Sequence, residues 1–246
     1  HIKEFMYEKP RTMGNLRLSA IGKPDRQLWY DINSQNTNTP ISSSTRIKFL
    51  YGYILEELLL LCASISGHKV TEQQKEVELE GIKGHQDSLI DGVLVDCKSA
   101  SGPGFQKFKN HSLSYDDPFG YIAQISAYAD ANGLDEAAFL AIDKSTGEIC
   151  LSKVHSMEMI NARDRVKYLK DMVQRDTMPN HCYDSVPDGK SGNHKLPVGC
   201  VYCSHKKGCW SDANQGKGLR AFQYARGKRF LTNVAKEPDV PEVLDW

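Results

Sequence analysis

The chain has no long hydrophobic run, no net charge and no internal repeat. Its longest apolar stretch, Leu58 to Ala63, follows two glutamates and falls far short of the roughly 20 residues a membrane span needs. A transmembrane protein is excluded, and no membrane partner is expected. Lysine plus arginine and aspartate plus glutamate number 31 each, so no overall cationic field draws the chain to nucleic acid or anionic lipid; any such attraction has to come from local segregation. No secretory leader is visible, although a chain that starts at His1 reads as trimmed, which leaves a removed leader open. An even set of cysteines is missing too. There are seven, three of them within ten residues, which suits a metal site better than a disulfide framework and points to a reducing compartment. With 246 residues, 40% of them hydrophobic, the chain can bury a real core as one large domain or two small ones, and is neither fibrous nor disordered.

Residues 1 to 40 are polar and include Asn33-Ser34-Gln35-Asn36-Thr37-Asn38-Thr39-Pro40; they read as a loop-like amino-terminal extension. Ser42 to Thr45 then offer capping hydroxyls to a helix whose core stripe is expected to be Ile47, Leu50, Tyr51, Ile54, Leu55, Leu58, Leu61, Cys62 and Ile65, stopped by Gly67. At 100° per residue Phe49, Gly52, Leu59, Leu60 and Ala63 gather on the opposite side with Glu56 among them, so Glu56 should be buried and Glu57 should flank it. Val77 to Ile90 reads as a strand and Val93 to Lys98 as its hairpin partner through Asp91-Gly92. A glycine-containing loop over 99 to 115 carries Phe105, Lys107, Phe108 and Lys109. Asp116-Asp117-Pro118 caps a helix to about Ala131, ended by Asn132-Gly133. A hairpin of Ala138 to Ile142 and Glu148 to Val154, a polar helix from Met157 to Arg175, and a long irregular segment complete the chain.

The chemistry concentrates on the first hairpin. A two-residue Asp91-Gly92 turn pairs Ile90 with Val93 and sets Asp87 opposite Asp96, while strand alternation puts Lys98 on the same face. Like charges directly opposed on a sheet are destabilising unless something neutralises them. A hard divalent cation, magnesium or manganese, does so and can also bind phosphate oxygens. Asp-x-Lys alone describes many solvated faces. Joined to a buried helix glutamate, Glu56, and to Asp87 in register, it describes a site for phosphodiester hydrolysis, with Lys98 orienting the attacking water or stabilising the developing charge. Asp91 is explained by the turn and is given no catalytic role. Gln124 and Tyr128 lie one helical turn apart, with Tyr121 one turn earlier.

Gly52-Tyr53-Ile54-Leu55-Glu56, Asp87, Asp96-Cys97-Lys98 and Gln124-Ile125-Ser126-Ala127-Tyr128, taken in that order and spacing, resemble the PD-(D/E)XK nuclease superfamily in its RecB-like branch. The resemblance spans about residues 45 to 210. It implies an α/β fold with a restriction-endonuclease-like core, a mixed β-sheet flanked by helices, and metal-dependent cleavage of DNA. It further implies Glu56, Asp87 and Asp96 as ligands of Mg2+ or Mn2+, the Cys97 carbonyl as a further ligand, Lys98 as the catalytic lysine, and Gln124 and Tyr128 along the DNA channel. Many RecB-like nucleases have histidine where Glu56 stands; glutamate there resembles phage recombination exonucleases.

Cys200-x2-Cys203-x5-Cys209 has the spacing of ligands for zinc or an iron-sulfur cluster. It resembles the carboxy-terminal cluster of iron-sulfur RecB-like nucleases, which implies 4Fe-4S, with Zn2+ as the alternative. Those nucleases usually take a fourth cysteine from upstream, and this chain has none before Cys62. Cys182, in the same irregular region, is therefore the expected fourth ligand and His205 the runner-up. From Lys190 to Phe230 nine lysines and arginines face one acid, Asp212, with Trp210, Phe222 and Tyr224 interleaved, a pattern suited to phosphates and unpaired bases. The chain thus reads as an amino-terminal extension (1–40), a nuclease core (41–180) and a metal-stapled basic segment packed on it (181–246). The expected activity is that of a Mg- or Mn-dependent DNA exonuclease acting on free ends in recombination, repair or phage replication. A recombination or replication protein is its expected partner, and the cytoplasm, the host's if phage-encoded, its expected home. The alternatives are a structure-selective endonuclease of the same superfamily and a non-catalytic nucleic-acid-binding module.

Overall fold

The computed structural model describes residues 14–34, 43–100 and 102–246; most of the expected loop at 33–40 lies outside them. The chain divides into two compact units, one of His1–Lys23 with Asn38–Arg175, the other of Pro24–Thr37 with Asp176–Trp246.

The first unit is an α/β layer structure. After α2 (Ser43–Ile65) come β1 (Val70–Thr71), β2 (Glu76–Leu79), β3 (Ile82–His85), β4 (Ser88–Ile90), β5 (Val93–Ala100), α3 (Pro103–Lys109), α4 (Tyr121–Asn132), β6 (Ala137–Asp143), β7 (Ile149–Val154) and α5 (Ala162–Met172). Strands order as β1-β4-β5-β6-β7, and β2 and β3 form a separate ribbon. The sheet is mixed: β5 runs parallel to β6, and the other neighbours are antiparallel. A parallel step needs a long crossover, and α3 and α4 supply it. The expected mixed sheet flanked by helices is therefore present. Its interior is built from Leu59 and Leu60 of α2, Leu94 and Val95 of β5, Phe105, Phe108, Ile125, Phe139 and Leu169, all buried.

The hairpin is as expected. Asp91 and Gly92 have φ of 52° and 86°, two successive left-handed residues that make the tight turn whose twist matches the flanking strands, and Ile90 pairs with Val93. Asp91 is consumed by this turn, accepting from Lys69 N at 2.8 Å and meeting His68 Nδ1 at 2.7 Å.

Several expectations need correction. The stretch from Val77 to Ile90 is three short strands, because Glu80 and Gly81, with φ of 50° and 79°, fold β3 back on β2. The loop over 99 to 115 contains α3, started by Pro103 in its first turn. The next helix begins at Tyr121, with Asp117 Oδ2 accepting from Ile122 N, and the polar helix begins only after Asn161, which caps Asp164 N. The largest correction concerns α2. Most of its expected core stripe is the solvent side: Ile47, Tyr51, Ile54, Leu58, Leu61 and Ile65 are exposed and Leu50, Leu55 and Cys62 half-buried, whereas on the other face Leu59 and Leu60 are buried and Phe49, expected with them, is exposed.

The second unit holds α1 (Asp25–Asn33), in a region expected to be loop, and a sheet where irregular chain was expected. Strands β8 (Val186–Pro187), β9 (His194–Lys195), β10 (Arg220–Tyr224), β11 (Gly227–Asn233) and β12 (Glu242–Val243) order as β12-β10-β11-β9-β8. Leu196, Cys200, Trp210, Ala213, Leu219, Ala221 and Phe230 form its core.

Candidate active site

Four elements of the first unit bring the sequence-predicted residues together. Asp87 precedes β4 and Asp96 and Lys98 sit on β5, one residue beyond the Ser88–Val95 pair. The Cys97 N–H donates to Asp87 Oδ2 at 2.7 Å, which fixes that carboxylate against β5. Asp96 is only 3% exposed. Its Oδ2 forms an ion pair with Lys98 Nζ and has no other donor, while its Oδ1 accepts from Gln124 Nε2 of α4 at 3.2 Å. Lys98 Nζ also lies 5.0 Å from the ring centroid of Tyr121, over the negative face of an aromatic ring.

Glu56 reaches the same site from α2, half-buried where Glu57 is exposed. Its Oε1 accepts from Gln74 Nε2 at 2.5 Å. Gln74 is a residue that sequence reasoning missed. It sits with Glu72 in a turn of left-handed non-glycine residues, φ 51° and 56°, and its own N–H donates to the Asp87 carbonyl. Backbone strain of this kind persists where the surroundings over-determine it. Here that turn links Glu56 to Asp87.

Electrostatics follow from the crowding. Burial, then the charges of Asp96 and Glu56, push the Asp87 carboxyl well above the usual aspartate range. Burial also raises Glu56, with Asp96 and Glu57 adding and the Gln74 hydrogen bond opposing. Burial pulls the Lys98 ammonium down, but Asp96 and Asp87 outweigh it and hold its pKa above the ordinary lysine value. Lys98 is thus a fixed cation at neutral pH, surrounded by more carboxylate than it can neutralise.

A hard divalent ion fits this donor set: oxygen ligands, excess negative charge, and in Asp96 Oδ2 a buried oxygen with only Lys98 for company. Among the described residues, no three histidine, cysteine, aspartate or glutamate side chains enclose one ion as they stand. Magnesium asks for less, since one or two carboxylates suffice where water and phosphate complete the octahedron. Tyr128, expected along a DNA channel, is 2% exposed. Its hydroxyl bonds Ser19, which makes it a packing residue behind Asp87 and Asp96.

In the second unit, Cys182, Cys200, Cys203 and Cys209 line one cleft, with Arg26, Tyr30, His181, His205 and Trp210 around them. All four are free thiols. Burial, the largest influence, pushes Cys200 up to about 11 and raises Cys203 and Cys209. Gly199 is required beside Cys200, because a Cβ there would stand 2.7 Å from the Tyr183 ring. His205, the runner-up ligand, is engaged elsewhere: its Nε2 meets Asp31 Oδ1 at 2.7 Å and its ring stacks on Tyr30. His181 Nδ1 lies 3.7 Å from Cys209 Sγ. The basic strands are partly neutralised, Arg220 by Glu237 and Glu242, Arg229 and Lys195 by Asp188. Trp210 and Phe222, expected to stack on bases, are buried in the core instead; Tyr224 is half-buried under Arg229.

No helix among the described residues is long and apolar enough to cross a membrane. No protein-family model matches the chain, and no curated protein matches it. Among solved structures it is similar to an alkaline exonuclease from Laribacter hongkongensis, at 12% identity and a TM-score of 0.41 over 70% of this chain and 89% of that one. A structure of that exonuclease in complex with dAMP matches at 15% identity and a TM-score of 0.40, over 65% and 85% of the two chains. A phage related exonuclease from Haemophilus somnus 129PT matches at 15% identity and a TM-score of 0.44, over 65% of this chain and 90% of that one.

Proposed function

We propose that this chain is a magnesium- or manganese-dependent DNA exonuclease that hydrolyses phosphodiester bonds at free ends. The observation that carries the reading is the convergence of Glu56, Asp87 and Asp96 on one half-buried ammonium, Lys98, from a helix and both arms of a hairpin. Such a charge imbalance costs stability unless a cation relieves it. Asp87, Asp96, Glu56 and the Cys97 carbonyl would hold the ion, which when bound lowers the pKa of a water and neutralises charge on the phosphate.

The side chains divide the remaining work. Lys98, charged at neutral pH, cannot serve as a general base; it donates hydrogen bonds that orient the attacking water and offset negative charge developing on the phosphoryl oxygens. Gln124 pins Asp96 Oδ1 and leaves Oδ2 turned to Lys98. Gln74 sets the Glu56 carboxylate in the same way. In the second unit, Cys182, Cys200, Cys203 and Cys209 would hold a 4Fe-4S cluster, which when bound would stabilise that unit, whose basic residues would add phosphate contacts. A time course on end-labelled linear and on circular DNA, with magnesium, with manganese and with chelator, tests the reading. Shortening from ends only, and only with metal, is expected; metal-independent cleavage or none at all overturns it.

A further inference from the structure

Helix α2 carries a second apolar surface that the described residues of its own unit leave uncovered. Ile47, Tyr51, Ile54, Leu58, Leu61 and Ile65 succeed one another at alternating intervals of four and three residues. All six are exposed, from 39% at Ile47 to 75% at Ile65. At 100° per residue they fall within about 40° of one line along a helix about 34 Å long. That alternation is a 3.5-residue repeat, the seam that two packed helices bury, with Ile47, Ile54 and Leu61 at d and Tyr51, Leu58 and Ile65 at a. Glu56, Leu59 and Leu60 point the other way, so the carboxy-terminal half of the helix serves the acidic site with one side and presents the seam with the other, while in its amino-terminal half Phe49 and Tyr53 are exposed off the seam as well.

Area decides that the seam is meant to be covered. At about 200 Å² for a fully exposed large side chain, the six leave about 600 Å² of contiguous apolar surface, at the top of the range monomers tolerate. One partner in a stable interface contributes about 800 Å². The half-buried flanking residues Leu50, Leu55 and Cys62 can supply much of the difference.

We propose that this stripe is the interface of a two-fold homodimer in which α2 packs antiparallel on α2 of a second copy. A two-fold contact requires a surface complementary to itself, and this one is. Reversal about the midpoint between Ile54 and Leu58 sets each d residue against an a residue: Ile47 on Ile65, Tyr51 on Leu61, Ile54 on Leu58. The stripe contains no charge, and a chain with no net charge does not repel its copy at long range. Charge on the flanks selects the direction. Lys48 lies at the amino end of α2 and Glu57 in its second half. A parallel pair would bring both copies of Lys48 together at two positive helix ends, whereas an antiparallel pair separates them and opposes the helix dipoles.

Sedimentation equilibrium over a concentration series tests this on the full chain. The expected wild-type species has twice the 27.6 kDa chain mass. Leu58→Glu should weaken dimerisation at least tenfold, with an unchanged circular dichroism melt because Leu58 makes no core. Adding Ile54→Lys to Leu58→Glu should recover much of the dimer, since each glutamate then meets a lysine across the two-fold; in a parallel pair like charges would meet instead. A wild type that stays monomeric throughout, or becomes dimeric only after deletion of residues 1–13, overturns the proposal. So does a dimer that Leu58→Glu leaves intact. A double variant no better than the single one overturns the antiparallel arrangement.

Discussion

Gln124 donates from Nε2 to Oδ1 of Asp96 across 3.2 Å, and this bond sets the rotation of the most buried carboxylate in the site. Gln124→Ala removes the donor without touching the acidic cluster, so Asp96 is free to turn. Losing such an outer partner of a ligand costs about 10- to 100-fold. We expect a loss of that size in turnover, with DNA affinity in the absence of metal unchanged. Gln124→Glu should be worse, because it places a fourth carboxylate against Asp96. Equal, wild-type turnover of both variants would remove Gln124 from the site.

Asp96→Asn should abolish cleavage while retaining or improving DNA binding, because it deletes charge without changing shape. Lys98→Ala should lower turnover and leave metal binding largely intact, measured by calorimetric titration with manganese. If both variants lose metal affinity to the same degree, the pair is a structural ion pair.

Glu56→Gln should reduce turnover by more than the roughly 100-fold ascribed to an outer partner, and Glu57→Gln by no more than about twofold, as expected for an exposed surface change. The contrast tests the face of α2, since the two residues are adjacent and differ only in direction. Gln74→Ala should fall between them, because it releases the Glu56 carboxylate but leaves it present.

Asp87 gives a pH prediction with a definite sign. Its folded pKa is raised, by burial first and then by Asp96 and Glu56, so the folded state keeps a proton that the unfolded chain releases near pH 3.9 or so. The group's contribution to stability is then full below that value and is lost as pH rises through the folded pKa. Metal-free protein should melt progressively lower across this window, and magnesium should recover most at its upper end. In Asp87→Asn the pH slope should flatten and the metal-free protein should melt a few degrees higher at pH 8 or so, at about 2–4 °C per kcal/mol for a chain of this size. A lower melt with an unchanged slope would contradict the assignment.

These residues were legible in the sequence to different degrees, for physical reasons. The Asp-Gly turn is a local signal that sets its own register, so Asp87 and Asp96 could be aligned without any knowledge of the rest of the sheet. Glu56 could be placed relative to its helix neighbours by the 100° step alone. Which of the two apolar faces of α2 turns inward was a different matter: periodicity finds both faces, and only the packing of Leu59 and Leu60 against β5 selects one. Gln74 was invisible because a turn of left-handed glutamate and glutamine has no compositional signature. The second sheet was missed because three of its strands, β8, β9 and β12, are two residues long, and β9 and β12 join β11 and β10 only over long sequence separations. Trp210 and Phe222 sit among lysines in the chain but are buried, Trp210 in the second unit's core cluster.

The cysteines yield the last prediction. Four thiols line one cleft, burial raises the pKa values of Cys200, Cys203 and Cys209, and metal binding has to expel the protons these three hold. Affinity for added zinc, or yield of cluster on reconstitution with iron and sulfide, should therefore rise with pH. Protein purified without oxygen should be coloured and contain iron and sulfide; zinc without colour would assign the alternative ion to the same four residues. Cys203→Ser should lose the bound metal and loosen the second unit, seen as faster proteolysis between Asp176 and Trp246. Turnover in magnesium on short single-stranded DNA should survive, because the carboxylates and Lys98 belong to the other unit. Cys150→Ser, outside the cleft, should change neither. Protein with no stoichiometric metal and four readily alkylated thiols, unchanged in protease resistance, would overturn the cluster. If Cys203→Ser instead abolished cleavage while keeping its metal, the cysteines would belong to the reaction, not to the folding of the unit that holds them.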